Sequence, residues 1–273
     1  MFEAHPLEIP PYHGLVAASR DVPALAAVLR DFPAICGAPS AEILQEGRNR
    51  ITAVLWPPDV DSVVKVFGAR GFHKLKTLVL PSKGIRAWRG AVDLIENGFE
   101  TPRPVAVFER RRRGIAVESV FVAERVRDGR EIRELFRTGP EAILPGLIDA
   151  LAPVLERLHR AGLVHRDLSD GNILVLDAAG AASSGFRFLF LDTNRVRRRS
   201  PGCFGRARNL VRLGVPPGLR TRFLDRYAEA AGPGFPRKRF GFHYRSAKRT
   251  FEFWLAFKKS LRLRGLARKL GIQ

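Results

Sequence analysis

The sequence predicts an α+β chain in two parts, strand-rich first and helical afterwards. Three observations carry that expectation. Between residues 40 and 126, short apolar runs alternate with turn residues, as at Glu42–Gln45, Ile51–Leu55 and Ser62–Phe67. Beyond residue 126 apolar residues return at helical spacing, with Leu144, Leu147, Ile148, Leu151, Leu155 and Leu158 on one stripe. Between Leu163-Val164 and Ile173-Leu174-Val175 lies a polar loop, so this stretch reads strand, loop, strand.

Composition sets the limits. A chain of 273 residues with 45% apolar side chains forms one large domain or two small ones with a real core. Cys36 and Cys203 make neither a disulfide framework nor a metal-ligand spacing. No secretory leader and no uncharged apolar run of spanning length is read, so the expected location is the cytoplasm, with room for peripheral attachment to a membrane's inner face. The formal charge of +20 is uneven: residues 195–273 hold 22 Lys+Arg against 3 Asp+Glu. That third should attract a polyanion.

In order, residues 1–39 read as an extension, irregular at its His-Pro and Pro-Pro pairs, with a short amphipathic helix over Val22–Phe32 and Asp21 as N-cap. Residues 40–126 form the strand-rich part. Lys65 sits inside the apolar, β-branched run Val63-Val64-Lys65-Val66-Phe67. The segment Ser82–Asn97 is a helix closed by Gly98, with Trp88, Val92 and Ile95 apolar. Pro102 and Pro104 stiffen the entry to the next strand, Arg110–Gly114 is a basic hairpin tip, and Ser119–Val126 is again strand. Residues 127–273 are the helical part. A short helix spans 128–138, and a longer one spans 141–160, regular from about Pro145 and kinked or split at Pro153. Further helices are expected at Thr221–Ala231 and Thr250–Leu270, the last basic and aromatic.

The loop carries Asp167 and, five residues on, Asn172. A carboxylate that orients an attacking hydroxyl and an amide oxygen that helps to hold magnesium are what phosphoryl transfer requires. Asp192 closes the apolar run Phe186–Leu191, 25 residues after Asp167, and suits a second magnesium ligand. His165 reads as a structural brace of the loop.

The order His165-Arg166-Asp167-Leu168-x-x-x-Asn172 resembles the catalytic loop of the protein-kinase-like superfamily. With Lys65, with Asp192-Thr193-Asn194-Arg195 where protein kinases write Asp-Phe-Gly, and with Thr101-Pro102-Arg103-Pro104-Val105-Ala106 following Glu96-Asn97-Gly98, residues 40–230 are similar to the bacterial lipopolysaccharide core kinase (Kdo/WaaP) family. The resemblance implies a two-lobed protein-kinase-like fold, with a small antiparallel-sheet N-lobe, a mainly helical C-lobe and ATP between them. It implies that Lys65 reaches the α- and β-phosphates and that backbone near Gly47 covers them. It also implies that Glu124 and Val126 flank the adenine, that Asn172 and Asp192 hold Mg2+, and that Asp167 serves the acceptor. The activity implied is ATP-dependent phosphorylation of a sugar of the lipopolysaccharide inner core, or of a related glycolipid, at the inner membrane.

Two departures matter. Only one glycine marks the first hairpin, and the middle of the 82–97 helix, Ala87-Trp88-Arg89-Gly90, holds no carboxylate to pair with Lys65; Asp93 and Glu96 stand one or two turns late. These features leave a pseudokinase or membrane scaffold as the alternative in another class. Ser169 in place of the usual lysine argues against a protein substrate, and a small-molecule phosphotransferase is the third reading. The basic tail suits an anionic glycolipid and an anionic membrane better than nucleic acid, for which no recognition module is present.

Overall fold

A computed structural model describes residues 2–19, 30, 34, 36–39, 41–46, 49–56, 60–68, 75–177 and 185–269. The chain runs β1 (Ala4–Ile9), β2 (Tyr12–Ala17), β3 (Glu42–Gln45), β4 (Asn49–Trp56), β5 (Val60–Gly68), α1 (Lys83–Glu96), β6 (Pro104–Arg112) and β7 (Ile115–Glu124). It continues through β8 (Arg130–Glu131), α2 (Ile132–Thr138), α3 (Leu144–Arg160), β9 (Leu163–His165), β10 (Ile173–Asp177), β11 (Phe186–Phe190), β12 (Val196–Arg198), α4 (Cys203–Leu210), α5 (Arg220–Ala231) and α6 (Arg237–Lys269). The architecture is mixed α+β, with an antiparallel N-terminal sheet and a helical C-terminal part. Two compact units divide it. One comprises Met1–Arg130, Leu174–Ala178 and Arg187–Arg198; the other comprises Glu131–Ile173, Ala179–Phe186 and Arg199–Gln273.

In the first unit the described residues form a seven-stranded antiparallel sheet in the order β1-β2-β6-β7-β5-β4-β3. Strand alternation divides its central strands between two cores. Val64, Ala106, Phe108, Val120 and Val122 belong to one. Phe67, Val107, Phe121 and Ala123 belong to the other, with Ala87, Trp88 and Ala91 of α1. The helix is set by its ends: Ser82 Oγ accepts the amide of Ile85 at 3.3 Å, and Gly98 takes a left-handed φ of 74° just past the last turn.

The opening residues differ from the sequence expectation. They are the hairpin β1–β2, and β2 pairs with β6. Proline is compatible here because β1 lies at the sheet edge, where a missing N–H breaks no ladder. The helix read over 22–32 falls almost wholly outside the described residues, and Gly47 and Arg48 of the first hairpin lie outside them too.

In the second unit, α3 buries Leu147, Ile148, Leu151, Ala152, Leu155 and Leu158 almost completely. Pro153 neither ends nor splits the helix, which runs 144–160. One missing backbone bond is outweighed by that continuous buried stripe. Helix α6 starts thirteen residues before the expected Thr250. Its first turns look polar, but Phe240 and Tyr244, one turn apart, are both 1% exposed, and Phe240 stacks on Tyr227 at 4.8 Å between ring centres. Leu270 lies outside the described residues.

Candidate active site

The polar loop hangs from β9, whose three residues are all buried. Backbone and side chain fold it tightly. The Ser169 amide donates to the Asp167 carbonyl at 2.8 Å, and Asn172 Nδ2 donates to the same carbonyl at 2.8 Å. That bond fixes which end of the Asn172 amide is oxygen. His165, 1% exposed, accepts the Asp167 amide on Nδ1 at 3.3 Å, which is the bracing its residue type suggested.

A second segment of the same unit holds this loop, and no local pattern in the chain announces it. Asn209, at the end of α4, donates through Nδ2 to the His165 carbonyl at 2.9 Å. Arg212 brings a guanidinium nitrogen within 2.9 Å of Asp167 Oδ1. Gly214 lies so close to the loop that a Cβ there would sit 2.3 Å from Asp170 Oδ2. Arg133 of α2 holds Asp170 from another side, with Nε 3.0 Å from Oδ1. Arg212 thus forms an ion pair with Asp167 Oδ1, which is sealed from solvent.

Behind Asn209 runs a buried relay whose proton positions follow from the partners. Asn209 Oδ1 accepts from His159 Nε2 at 2.9 Å. His159 Nδ1 is then the acceptor, and the Tyr227 hydroxyl donates to it at 2.7 Å. Burial pushes the His159 imidazolium down to a pKa of about 4 from its usual 6.5. Between those values the unfolded chain takes up a proton that the folded chain refuses. This group therefore costs stability as pH falls through that window, about 3 kcal/mol once the drop is complete. The thermal midpoint should fall between pH 7 and pH 4.5, and more steeply in the wild type than in His159→Gln, as calorimetry at both pH values would test. Equal slopes would remove His159 from the relay.

In the first unit, Lys65 rises from β5 on the face shared with Phe67, over whose ring its ammonium lies at 5.4 Å. Nζ donates to Asp192 Oδ1 at 2.5 Å, and the two side chains are 17% and 23% exposed. Asn194 Nδ2 reaches the same oxygen at 2.7 Å, and Arg195 Nε lies 3.7 Å from Oδ2. Asp192 is left-handed, with φ 50° and ψ 45°. A non-glycine residue there carries a strain of about 1–2 kcal/mol, so the packing around it must hold the turn.

That packing is α1. The Thr193 hydroxyl donates to the Ala87 carbonyl at 2.8 Å, and a Cβ on Gly90 would stand 2.1 Å from the Thr193 carbonyl oxygen. The turn after Asp192 thus rests on the middle of the helix at Ala87 and Gly90, two positions where a longer, acidic side chain has no room. Neither late carboxylate turns to Lys65. Asp93 pairs with Arg198 at 2.7 Å, while Glu96 lies 3.7 Å from Arg198 and accepts the Phe2 amide at 3.0 Å.

Glu124 and Val126 both line a cavity of about 320 Å³ in this unit, with Thr101, Arg103 and Arg125 among its walls. Lys65 and Asp192 do not line it. The Glu124 amide is engaged by the Arg103 carbonyl at 2.9 Å. Gly47 lies outside the described residues.

Among the described residues no group of three or more His, Cys, Asp or Glu side chains could hold a metal alone. Asp192 in the first unit offers a carboxylate and Asn172 in the second an amide oxygen, each a hard donor of the kind that magnesium takes.

A family model described as the lipopolysaccharide kinase (Kdo/WaaP) family matches residues 75–216, just over half of the chain. The chain belongs to that family. The match includes the loop, Asp192 and Arg212, and leaves Lys65 outside. Two curated relatives are each named 3-deoxy-D-manno-octulosonic acid kinase. The one from Vibrio parahaemolyticus serotype O3:K6 (strain RIMD 2210633) is 26% identical over 121 residues, 44% of this chain and 46% of that protein. The one from Xanthomonas axonopodis pv. citri (strain 306) is 31% identical over 121 residues, 44% of each. The matched segment therefore spans less than half the length of these Kdo kinases. A solved structure, WaaP in complex with acyl carrier protein, covers 80% of this chain and 91% of its own at 20% identity with a TM-score of 0.57. That likeness shows the protein-kinase-like fold.

Proposed function

We propose that this Kdo/WaaP family member is an ATP-dependent kinase that phosphorylates a sugar hydroxyl of the lipopolysaccharide inner core or of a related glycolipid. The observation that carries the reading is the ion pair of Lys65 with Asp192, two residues 127 apart in sequence whose charged atoms stand 2.5 Å from each other. A lysine able to hold triphosphate oxygens and a carboxylate able to hold their counter-cation belong together in phosphoryl transfer and have little reason to meet otherwise.

In this reading Lys65 holds the α- and β-phosphates, and Asn172 and Asp192 would hold Mg2+. Magnesium, when bound, neutralises charge on the triphosphate. The acceptor hydroxyl gives its proton to Asp167 Oδ1, an acceptor already sealed from water. Its oxygen forms a bond to the γ-phosphorus as the bond to the β,γ-bridging oxygen breaks and ADP leaves. Glu124 and Val126 contact the base. The missing acid on α1 favours a pseudokinase as the second reading. Purified chain, labelled ATP and magnesium, offered lipopolysaccharide precursors, a generic protein and simple sugars, separates the readings. Label should enter the precursors; ATP binding without transfer to any acceptor would support the pseudokinase.

We further propose that the protein works at the cytoplasmic face of an anionic membrane through α6. No helix among the described residues is long and apolar enough to cross a membrane. Helix α6 instead exposes Phe253, Trp254, Phe257 and Leu261, with Trp254 and Phe257 in edge contact at 5.6 Å. Its sequence holds 12 Lys+Arg and one acid. Aromatics beside lysines suit the headgroup layer. The double variant Trp254→Ser/Phe257→Ser should sediment with anionic liposomes about tenfold less than wild type. Undiminished sedimentation would remove α6 from the contact.

A further inference from the structure

Of the three residues in 209–214 that touch the loop, two are explained by packing. Asn209 links the buried relay to the loop backbone, and Gly214 makes room for Asp170. Arg212 has no such explanation. It is the one half-exposed side chain in a buried run: Leu210 and Leu213 are 0% exposed and Val211 5%. The backbone that carries it is clamped, because Lys248 Nζ, itself buried, donates to the Val211 carbonyl at 2.8 Å.

A permanent cation on the oxygen that must take a proton would hinder a base. Yet the pair that the guanidinium makes with Asp167 Oδ1 at 2.9 Å leaves the Arg212 side chain 48% exposed. A charge paired on one side, on a fixed backbone and half open to solvent, is suited to exchange partners. Its planar fork of N–H groups matches a carboxylate or phosphate.

We propose that Arg212 determines acceptor specificity by binding an acidic group next to the hydroxyl that is phosphorylated. When that group arrives, Arg212 turns from Asp167 to it. The acceptor's hydroxyl is thereby placed at the carboxylate just released. A neutral sugar would leave Arg212 on Asp167, where it opposes proton transfer. The inference rests on the kinase reading and deepens it by assigning one residue, Arg212, to the acidic group of the acceptor.

The test uses the full chain, ATP and magnesium with three acceptors: a glycoside of 3-deoxy-D-manno-octulosonic acid, its methyl ester, and a glycoside bearing a phosphate monoester instead. Wild type should prefer an anionic acceptor to the ester, and the better anion of the two identifies the group recognised. Arg212→Ala should raise KM for that acceptor on the order of 10- to 100-fold, as loss of a charge-assisted hydrogen bond does. KM for ATP and the thermal midpoint should stay unchanged, the preference over the ester should vanish, and Arg212→Lys should recover part of it. Equal use of ester and acid by wild type, or an equal loss on both acceptors in Arg212→Ala, would overturn the role. Failure of wild type to phosphorylate any acceptor would instead defeat the kinase reading and the inference with it.

Discussion

Asp167→Asn is expected to lower the turnover number by about three orders of magnitude, within the range that a positioned general base supplies, and to leave ATP affinity unchanged. The substitution keeps shape and loop. The bonds that fold this stretch come from backbone groups of residue 167, namely its amide to His165 and its carbonyl to Asn172. What is lost is the proton acceptor and the charge that Arg212 faces. Single-turnover phosphoryl transfer, with a fluorescent ATP analogue to follow binding, measures both quantities. A variant that kept wild-type turnover would show that proton removal does not involve Asp167. One that lost ATP binding as well would show that the carboxylate belongs to the nucleotide site.

Gly90→Val should be the most damaging single change outside the candidate catalytic groups. Even the first carbon of a side chain would come within 2.1 Å of the Thr193 carbonyl oxygen. Backbone cannot yield there cheaply, because Thr193 is tied to Ala87. The expected loss is about 3 kcal/mol, at the upper end for overpacking, or roughly 6–12 °C in the thermal midpoint of a chain this size. The displaced turn should also pull Asp192 from Lys65 and weaken nucleotide binding severalfold. Gly218→Ala, where an added carbon meets nothing within 4 Å, is the control. Equal midpoints for the two variants would mean that α1 and the turn after Asp192 are not pressed together.

Much of this architecture is legible in the sequence where local signals suffice. Val63–Phe67 is an apolar, β-branched run around Lys65 and becomes the middle of β5; Ser82 and Gly98 bracket α1 because caps are short-range chemistry. The loop stands out as polar residues trapped between apolar runs. What could not be read is long-range. Arg212 and Asn209 lie some 45 residues beyond the groups they touch, and the Leu210–Leu213 pattern announces only a buried turn. Asp192 as the partner of Lys65 was hidden because a helix acid was the expected counterpart; the contact of Thr193 with Ala87 and Gly90, which excludes one, leaves only small residues as its trace. The start of α6 differs from the expectation because Phe240 and Tyr244 among six Lys and Arg make a faint stripe until Tyr227 is known to stack on Phe240.

The seating of the Asp192 turn on α1 bears on how such a molecule could be governed. Where a helix acid bridges to the strand lysine, activity can be gated by swinging that acid in and out. Here the helix touches the turn that follows the magnesium-ligand candidate, at Thr193, with the lysine already committed to the aspartate. Any drift of the helix drags the carboxylate along as one piece. Control exerted through this helix would move the whole assembly.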